Sequence, residues 1–116
     1  MAAAGLLVLA GGALAGLADV VGVEAAQEAD SRYRFTVTVR HEDSDWEHYA
    51  DRWEVLSPEG KVLGTRVLLH PHVGEQPFTR SLGGVEVAPG MKHVRVRARD
   101  SVHGFGGEER LVELRR

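Results

Sequence analysis

The sequence predicts an all-β protein: an antiparallel β-sandwich of six to seven strands, preceded by a signal peptide. Three observations carry that prediction. The segments Tyr33–Arg40 (YRFTVTVR) and His93–Asp100 (HVRVRARD) alternate apolar and polar residues, the period of a half-buried strand. Two Pro/Gly turns, SPEGK (Ser57–Lys61) and APGMK (Ala88–Lys92), separate strand-like runs. Past Ala26 no segment except Trp46–Ala50 holds a helical period for more than about a turn.

Taken in order, the chain opens with MAAAGLLVLAGGALAGLADVVGVEAAQEAD and has no Lys or Arg before Arg32. The run Ala2–Ala18 is rich in Ala and Gly and meets Asp19 before reaching the about 20 strongly apolar residues of a spanning helix. It reads as the apolar region of a secretory signal peptide. Small residues suited to cleavage lie at Gly16-Leu17-Ala18 and Val23-Glu24-Ala25. The expected organisation is a signal peptide at residues 1–25 and one domain at 26–116. The basic residue usual near a leader's start is missing, so a start upstream of Met1 and an uncleaved anchor stay open.

In Tyr33–Arg40 the inward face is Tyr33, Phe35, Val37 and Val39. Asp51–Ser57 repeats the pattern with Trp53 and Val55 inward. Val62–Leu69 follows, with Gly64 at a bulge position. Phe78–Val87 is strand-like at both ends and kinked at Gly83-Gly84. His93–Asp100 turns Val94, Val96 and Ala98 inward and Arg95, Arg97 and Arg99 outward. Arg110–Arg115 closes the set.

The stretch Gly90–Leu114 resembles the last hairpin of bacterial immunoglobulin-like domains. The matching residues are the turn Pro89-Gly90, then Val94, Val96, Ala98 and Asp100, then the loop glycines Gly104, Gly106 and Gly107. Trp53 resembles the core Trp of such folds, without the cysteine pair of antibody domains. The resemblance implies an immunoglobulin-like (fibronectin III or E-set-like) sandwich and no particular function. In that order the fifth predicted strand lies between the second and the last, so Glu54 and Glu113 are the expected partners of the outward arginines.

There is no cysteine, which removes disulfides, thiolate metal sites and lipidated cysteines. The formal net charge is −3, and losing Asp19 and Glu24 with the leader brings it to −1. That balance excludes an electrostatic case for nucleic acid. The expected protein is periplasmic or secreted and, once cleaved, not integral to a membrane.

In an antiparallel sandwich, connections alternate between the two ends. The long ones, HEDSDWEHYA (41–50), HPHVGEQP (70–77) and the loop after Asp100, therefore share an end. They hold His41, His48, His70, His72 and His103, whereas His93 lies at the other end. Pro71 favours an extended His70, and residues i and i+2 of an extended segment share a side. His70 and His72 are thus the first candidate ligands, His103 and His48 the next, and His41 the last. Imidazole and carboxylate without sulfur suit Cu(II) or Zn²⁺. The expected function is transition-metal binding through these loop histidines.

Rival features are weaker. Glu42–Glu47 (EDSDWE) lacks the remainder of an EF-hand loop. GFGG (Gly104–Gly107) opens no helix and so is no phosphate loop. Asp100, Ser101 and His103 are too close in sequence to form a catalytic relay, and an enzyme is not expected. The alternative is an exported interaction module, binding a protein or glycan through Trp46, Tyr49 and Phe105 and taking no metal.

Overall fold

The structure is a computed structural model that describes residues 16–115. Seven strands run in order: β1 (Asp19–Ala29), β2 (Arg32–Arg40), β3 (Ala50–Leu56), β4 (Val62–Val67), β5 (Phe78–Glu86), β6 (His93–Asp100) and β7 (Arg110–Glu113). They form two antiparallel sheets, β1-β2-β5 and β4-β3-β6-β7. The fold class is the expected one, and β6 lies between β3 and β7 as anticipated. Among the described residues no helix is long and apolar enough to cross a membrane.

The core is the set of inward rows the alternation marks. Tyr33, Phe35, Val37 and Val39 of β2 face Trp53 and Val55 of β3 and Val94, Val96 and Ala98 of β6, all essentially without solvent contact. Trp53 is the largest fully buried side chain. Trp53→Ala is expected to cost about 3–5 kcal/mol through the cavity it leaves, read from urea unfolding. A loss under about 1 kcal/mol would mean the ring does not fill the core.

The expected boundary after Ala25 falls inside a strand. Asp19–Ala25, assigned above to the leader, are part of β1 and pair with β2 from Asp19↔Arg40 to Ala25↔Phe35. The apolar run expected to be a leader lies, up to residue 15, outside the described residues. The register explains why β1 escapes sequence reading. A shift between Val20 and Gly22 leaves Val21 over, so Val20, Val23 and Ala25 come opposite the inward Val39, Val37 and Phe35. That β-bulge breaks the two-residue period, and Ala and Gly elsewhere give the segment a leader's composition.

Two further irregularities fall at glycines. Gly83-Gly84 make the expected kink in β5, with Gly84 at φ 68° and a register shift opposite Tyr33–Phe35. Gly107 lies so close to the Ala18 carbonyl that a Cβ would overlap it. The Gly-rich loop thus lets β6–β7 meet the entry to β1.

The arginines of β6 are half-buried rather than exposed, because each has a carboxylate beside it. Arg97 pairs with Glu54 at 2.9 Å, as expected, and Arg99 with Asp51 at 2.5 Å. Arg95 pairs with Glu109 at 3.3 Å, in place of Glu113. These part-exposed pairs neutralise the stripe at modest energetic gain.

Candidate metal centre

Two inward rows do not end where their strands' apolar residues end. In β2 the row Tyr33, Phe35, Val37, Val39 continues to His41; in β6 the row Val94, Val96, Ala98 continues to Asp100. Both polar side chains therefore project between the sheets, at the end where the long loops gather. His41 is 3 % exposed and Asp100 0 %.

The loops bring the remaining groups. The β2–β3 loop folds back through Ser44 N–H to the His48 carbonyl (3.0 Å) and His48 N–H to that of Asp45 (3.2 Å). Asp100 shapes the β6–β7 loop: its Oδ2 accepts the backbone N–H of His103 (2.6 Å) and Val102 (3.2 Å) and lies 2.6 Å from His103 Nδ1. The Gly16 carbonyl enters from the residues just before β1. It lies 3.0 Å from His41 Nε2, 3.4 Å from His48 Nε2 and 3.1 Å from His103 Nδ1.

The second oxygen of Asp100 is in a different position. His41 Nε2 lies 2.7 Å and His48 Nε2 2.8 Å from Oδ1. Neither ring is oriented to donate to it, so Oδ1 is a buried oxygen without a hydrogen-bond partner. Burial works against charge on Asp100. The His103 backbone N–H and ring, with His41 and His48 beside them, outweigh it and hold the carboxyl below its ordinary range.

Behind His41 stands Asp43, whose Oδ1 is 2.5 Å from His41 Nδ1, both side chains fully buried. Asp43 Oδ1 also accepts the Ala50 N–H at 3.1 Å, and its Oδ2 the His72 N–H at 2.6 Å. A carboxylate on Nδ1 keeps a proton there; Nε2 faces two acceptor oxygens, the Gly16 carbonyl and Asp100 Oδ1, and would offer its lone pair to a cation that takes the place of its proton, as in metal-bound histidines. One ligand atom each from His41, His48 and Asp100 lies within 4.8 Å of the others. Bonds of about 2.0–2.1 Å at tetrahedral angles separate ligand atoms by about 3.3–3.4 Å. The Oδ1–nitrogen spacings are shorter, so a tetrahedral ion would part these groups by about half an ångström.

The five candidate histidines divide. His41 and His48 join Asp100, and His103 meets the other oxygen of the same carboxylate. His70 and His72, the first candidates, are outside that group. Their rings are neighbours, with centroids 4.7 Å apart, but each is engaged elsewhere. His70 is exposed, with Nδ1 3.1 Å from the Pro71 carbonyl. His72 stacks on Phe78 at 3.9 Å and 10°, and its Nε2 accepts from Arg80 at 2.9 Å. Asp43 and Gln76 join the two neighbourhoods: Gln76 accepts the His41 N–H at 2.9 Å and donates to the His72 carbonyl at 3.0 Å.

Burial first, and then the nearby Arg80 and His70, hold His72 below its ordinary value of 6.5. The unfolded chain therefore takes this proton before the folded one does. His72's contribution to stability is present above pH 6.5 and lost as pH falls through its lowered value. In metal-free protein, His72→Phe keeps a ring on Phe78 and removes the titration. As pH falls below 6.5 the parent should lose stability relative to this variant by urea unfolding; a constant difference would sink the assignment.

Of the aromatic candidates, Trp46 is 65 % exposed and meets Tyr49 edge-on at 5.7 Å. Phe105 instead lies beneath Arg97, 3.8 Å from guanidinium to ring centroid. This cation–π contact places it on the flank of the sheet rather than free at the loop end.

Fold and site together define a β-sandwich with a histidine–carboxylate cluster closing one end. No family model matches the chain, and no solved structure matches it. It is similar to a protein of Halomicrobium mukohataei named "Putative lipoprotein", with 41 % identity over 96 residues, covering 83 % of this chain and 47 % of that protein. The chain spans about half the length of this curated relative.

Proposed function

We propose that this is an exported, immunoglobulin-like β-sandwich unit that binds a transition-metal ion, Zn²⁺ or Cu(II), through His41, His48 and Asp100. His103 and the Gly16 carbonyl stand at the rim of the site. The observation that carries the reading is Asp100 Oδ1, buried and without a hydrogen bond against two imidazole nitrogens. A cation gives these three atoms a common partner. The donor set, nitrogen and oxygen without sulfur, suits either ion. Export to the periplasm or cell exterior is supported by the name of the Halomicrobium relative, "Putative lipoprotein".

The test is elemental analysis of protein purified without a histidine tag. About one Zn or Cu per chain is expected, removable by chelator and absent from Asp100→Asn. Protein that neither retains nor takes up either metal would be an imidazolium–carboxylate cluster instead. That reading draws on the Gly16 carbonyl, which His41 Nε2 meets at 3.0 Å in hydrogen-bonding geometry.

The exposed Trp46 supports a second reading, recognition of a protein or glycan at the same end. Quenching of Trp46 fluorescence by a candidate ligand in metal-free protein, lost in Trp46→Ala, would favour it.

A further inference from the structure

We infer that the cleft between the edge strands β4 and β5 binds a small oxyanion, of the phosphate or carboxylate class, between Arg66 and Arg80. The placement of these two arginines is unusual. Arg66 is the cross-strand neighbour of Trp53 and Arg80 that of Val37, both fully buried. Cross-strand neighbours share a face of the sheet. Each arginine therefore sits in an inward row, Arg66 between Gly64 and Leu68, Arg80 between Phe78 and Leu82. The two rows belong to different sheets, and both guanidinium-bearing residues line one cavity of about 80 Å³ with His70 and His72. A single water needs about 10–15 Å³ of such space, so the cavity has room for one multi-oxygen anion.

Each guanidinium is held in part by backbone, Arg66 Nη1 donating to the Val67 carbonyl at 3.2 Å and Arg80 Nη1 to that of Thr79 at 2.7 Å, but other donors at the cavity lack acceptors. Arg66 Nε is buried with no hydrogen-bond partner, and so is His72 Nδ1, on a residue only 2 % exposed. Arginine can only donate. Because Arg80 Nη2 donates to His72 Nε2 at 2.9 Å, the His72 proton resides on Nδ1. The carboxylate oxygen facing it, Asp43 Oδ2, is 3.9 Å away, beyond hydrogen-bond reach. Neither Arg66 nor Arg80 has an ion pair among the described residues, whereas Arg95, Arg97 and Arg99 on the outer face each have one. The acids acting on His72 are Asp43 and Glu75. Asp43 is engaged by His41 and two backbone amides, and Glu75 is exposed.

An inward charge can guard a sheet edge against pairing with another chain. That explains one arginine on one edge. It leaves unexplained two arginines from opposite sheets meeting at one cavity beside an unpartnered histidine donor. An oxyanion in the cavity would give both guanidinium groups a charge-assisted partner.

The test is an NMR titration with inorganic phosphate, sulfate and acetate at ionic strength held constant with chloride. It is run on the parent and on Asp100→Asn, so that an anion held by a metal ion is told apart. Saturable shifts at Arg66, His72 and Arg80 are expected in both proteins. Phosphate and sulfate against acetate distinguishes a tetrahedral from a planar guest. Arg66→Gln and Arg80→Gln should each weaken binding by about ten- to a hundredfold. Arg66→Lys, which keeps the charge but not the fork, should be intermediate and guards against a folding defect. A second readout is melting temperature, which phosphate should raise in the parent and not in the Arg66→Gln, Arg80→Gln double variant. Shifts that do not saturate, that chloride reproduces, or that persist in the folded double variant would overturn the proposal and leave edge protection as the arginines' role.

Discussion

A chain that begins at Ala26 is expected not to fold cooperatively. Such a chain lacks Ala18, Val20 and Val23. Ala18 and Val20 are buried in the core, and Val23 packs against it. It also lacks the pairing from Asp19↔Arg40 to Ala25↔Phe35, which would leave β2, the centre of its sheet, as a bare edge over most of its length. The start of β1 further ties the two sheets together: Val20 N–H donates to the Glu108 carbonyl at 2.8 Å, and Glu108 N–H to Asp19 Oδ1 at 2.7 Å. Burying one Val side chain contributes about 1.5–3 kcal/mol. With its neighbours and the lost ladder, the deficit is on the order of 5 kcal/mol or more, against a typical total of about 5–15. A flat urea titration and collapsed amide dispersion are the expected signs. A chain beginning at Asp19 keeps the ladder and should fold, but without the Gly16 carbonyl its metal affinity should be lower than that of the longer chain. Cooperative unfolding of the Ala26 chain near the parent's midpoint would show that β1 is dispensable.

The parts legible in the sequence were those with an unbroken period. Tyr33–Val39 and Val94–Ala98 alternate without interruption, so their faces, the burial of Trp53 and the gathering of long loops at one end all follow. β1 was not legible because its bulge at Val21 removes the period while its small residues have the composition expected of a leader. The site was half legible. Counting connections puts His41, His48, His103 and Asp100 at one end, but does not say which side chains turn inward. That signal was present in the rows themselves: His41 and Asp100 are the next members of the Val37–Val39 and Val96–Ala98 series. A buried ionisable residue ending an apolar row is costly unless it is paired, which makes it a better pointer than the proximity of His70 and His72. The HPH pair stands apart from the His41, His48 and Asp100 group because the His72 ring is committed to Phe78 and Arg80, contacts that only the tertiary fold creates. The inward phase of Arg66 likewise depends on its register with β3, which its own strand's sequence does not display.

Replacing His41 with Ala is expected to abolish stoichiometric metal binding, while replacing both His70 and His72 should leave the metal content unchanged. His41 would supply a directed nitrogen from a side chain that packing cannot move, being fully buried between the sheets with Asp43 on its far nitrogen. Its loss leaves His48, a partly exposed ring on a loop, and Asp100, too few ligands for a four-coordinate ion. Asp43→Asn tests the support separately. It keeps a hydrogen-bond acceptor for Nδ1 but removes the charge, and loss of such a partner weakens binding by about 10–100-fold. His93→Ala, at the opposite end, serves as the unaffected control. Binding to the parent should weaken in acid, because a protonated imidazole has no lone pair to give. Chelation should also lower the parent's melting temperature, since an ion that binds only the folded state stabilises it. The same treatment should leave His41→Ala unmoved. Isothermal titration with Zn²⁺ and Cu(II) across these variants decides the matter. Full uptake by His41→Ala would remove His41 from the centre, and loss of uptake in the His70→Ala, His72→Ala double variant would move the centre to the HPH loop.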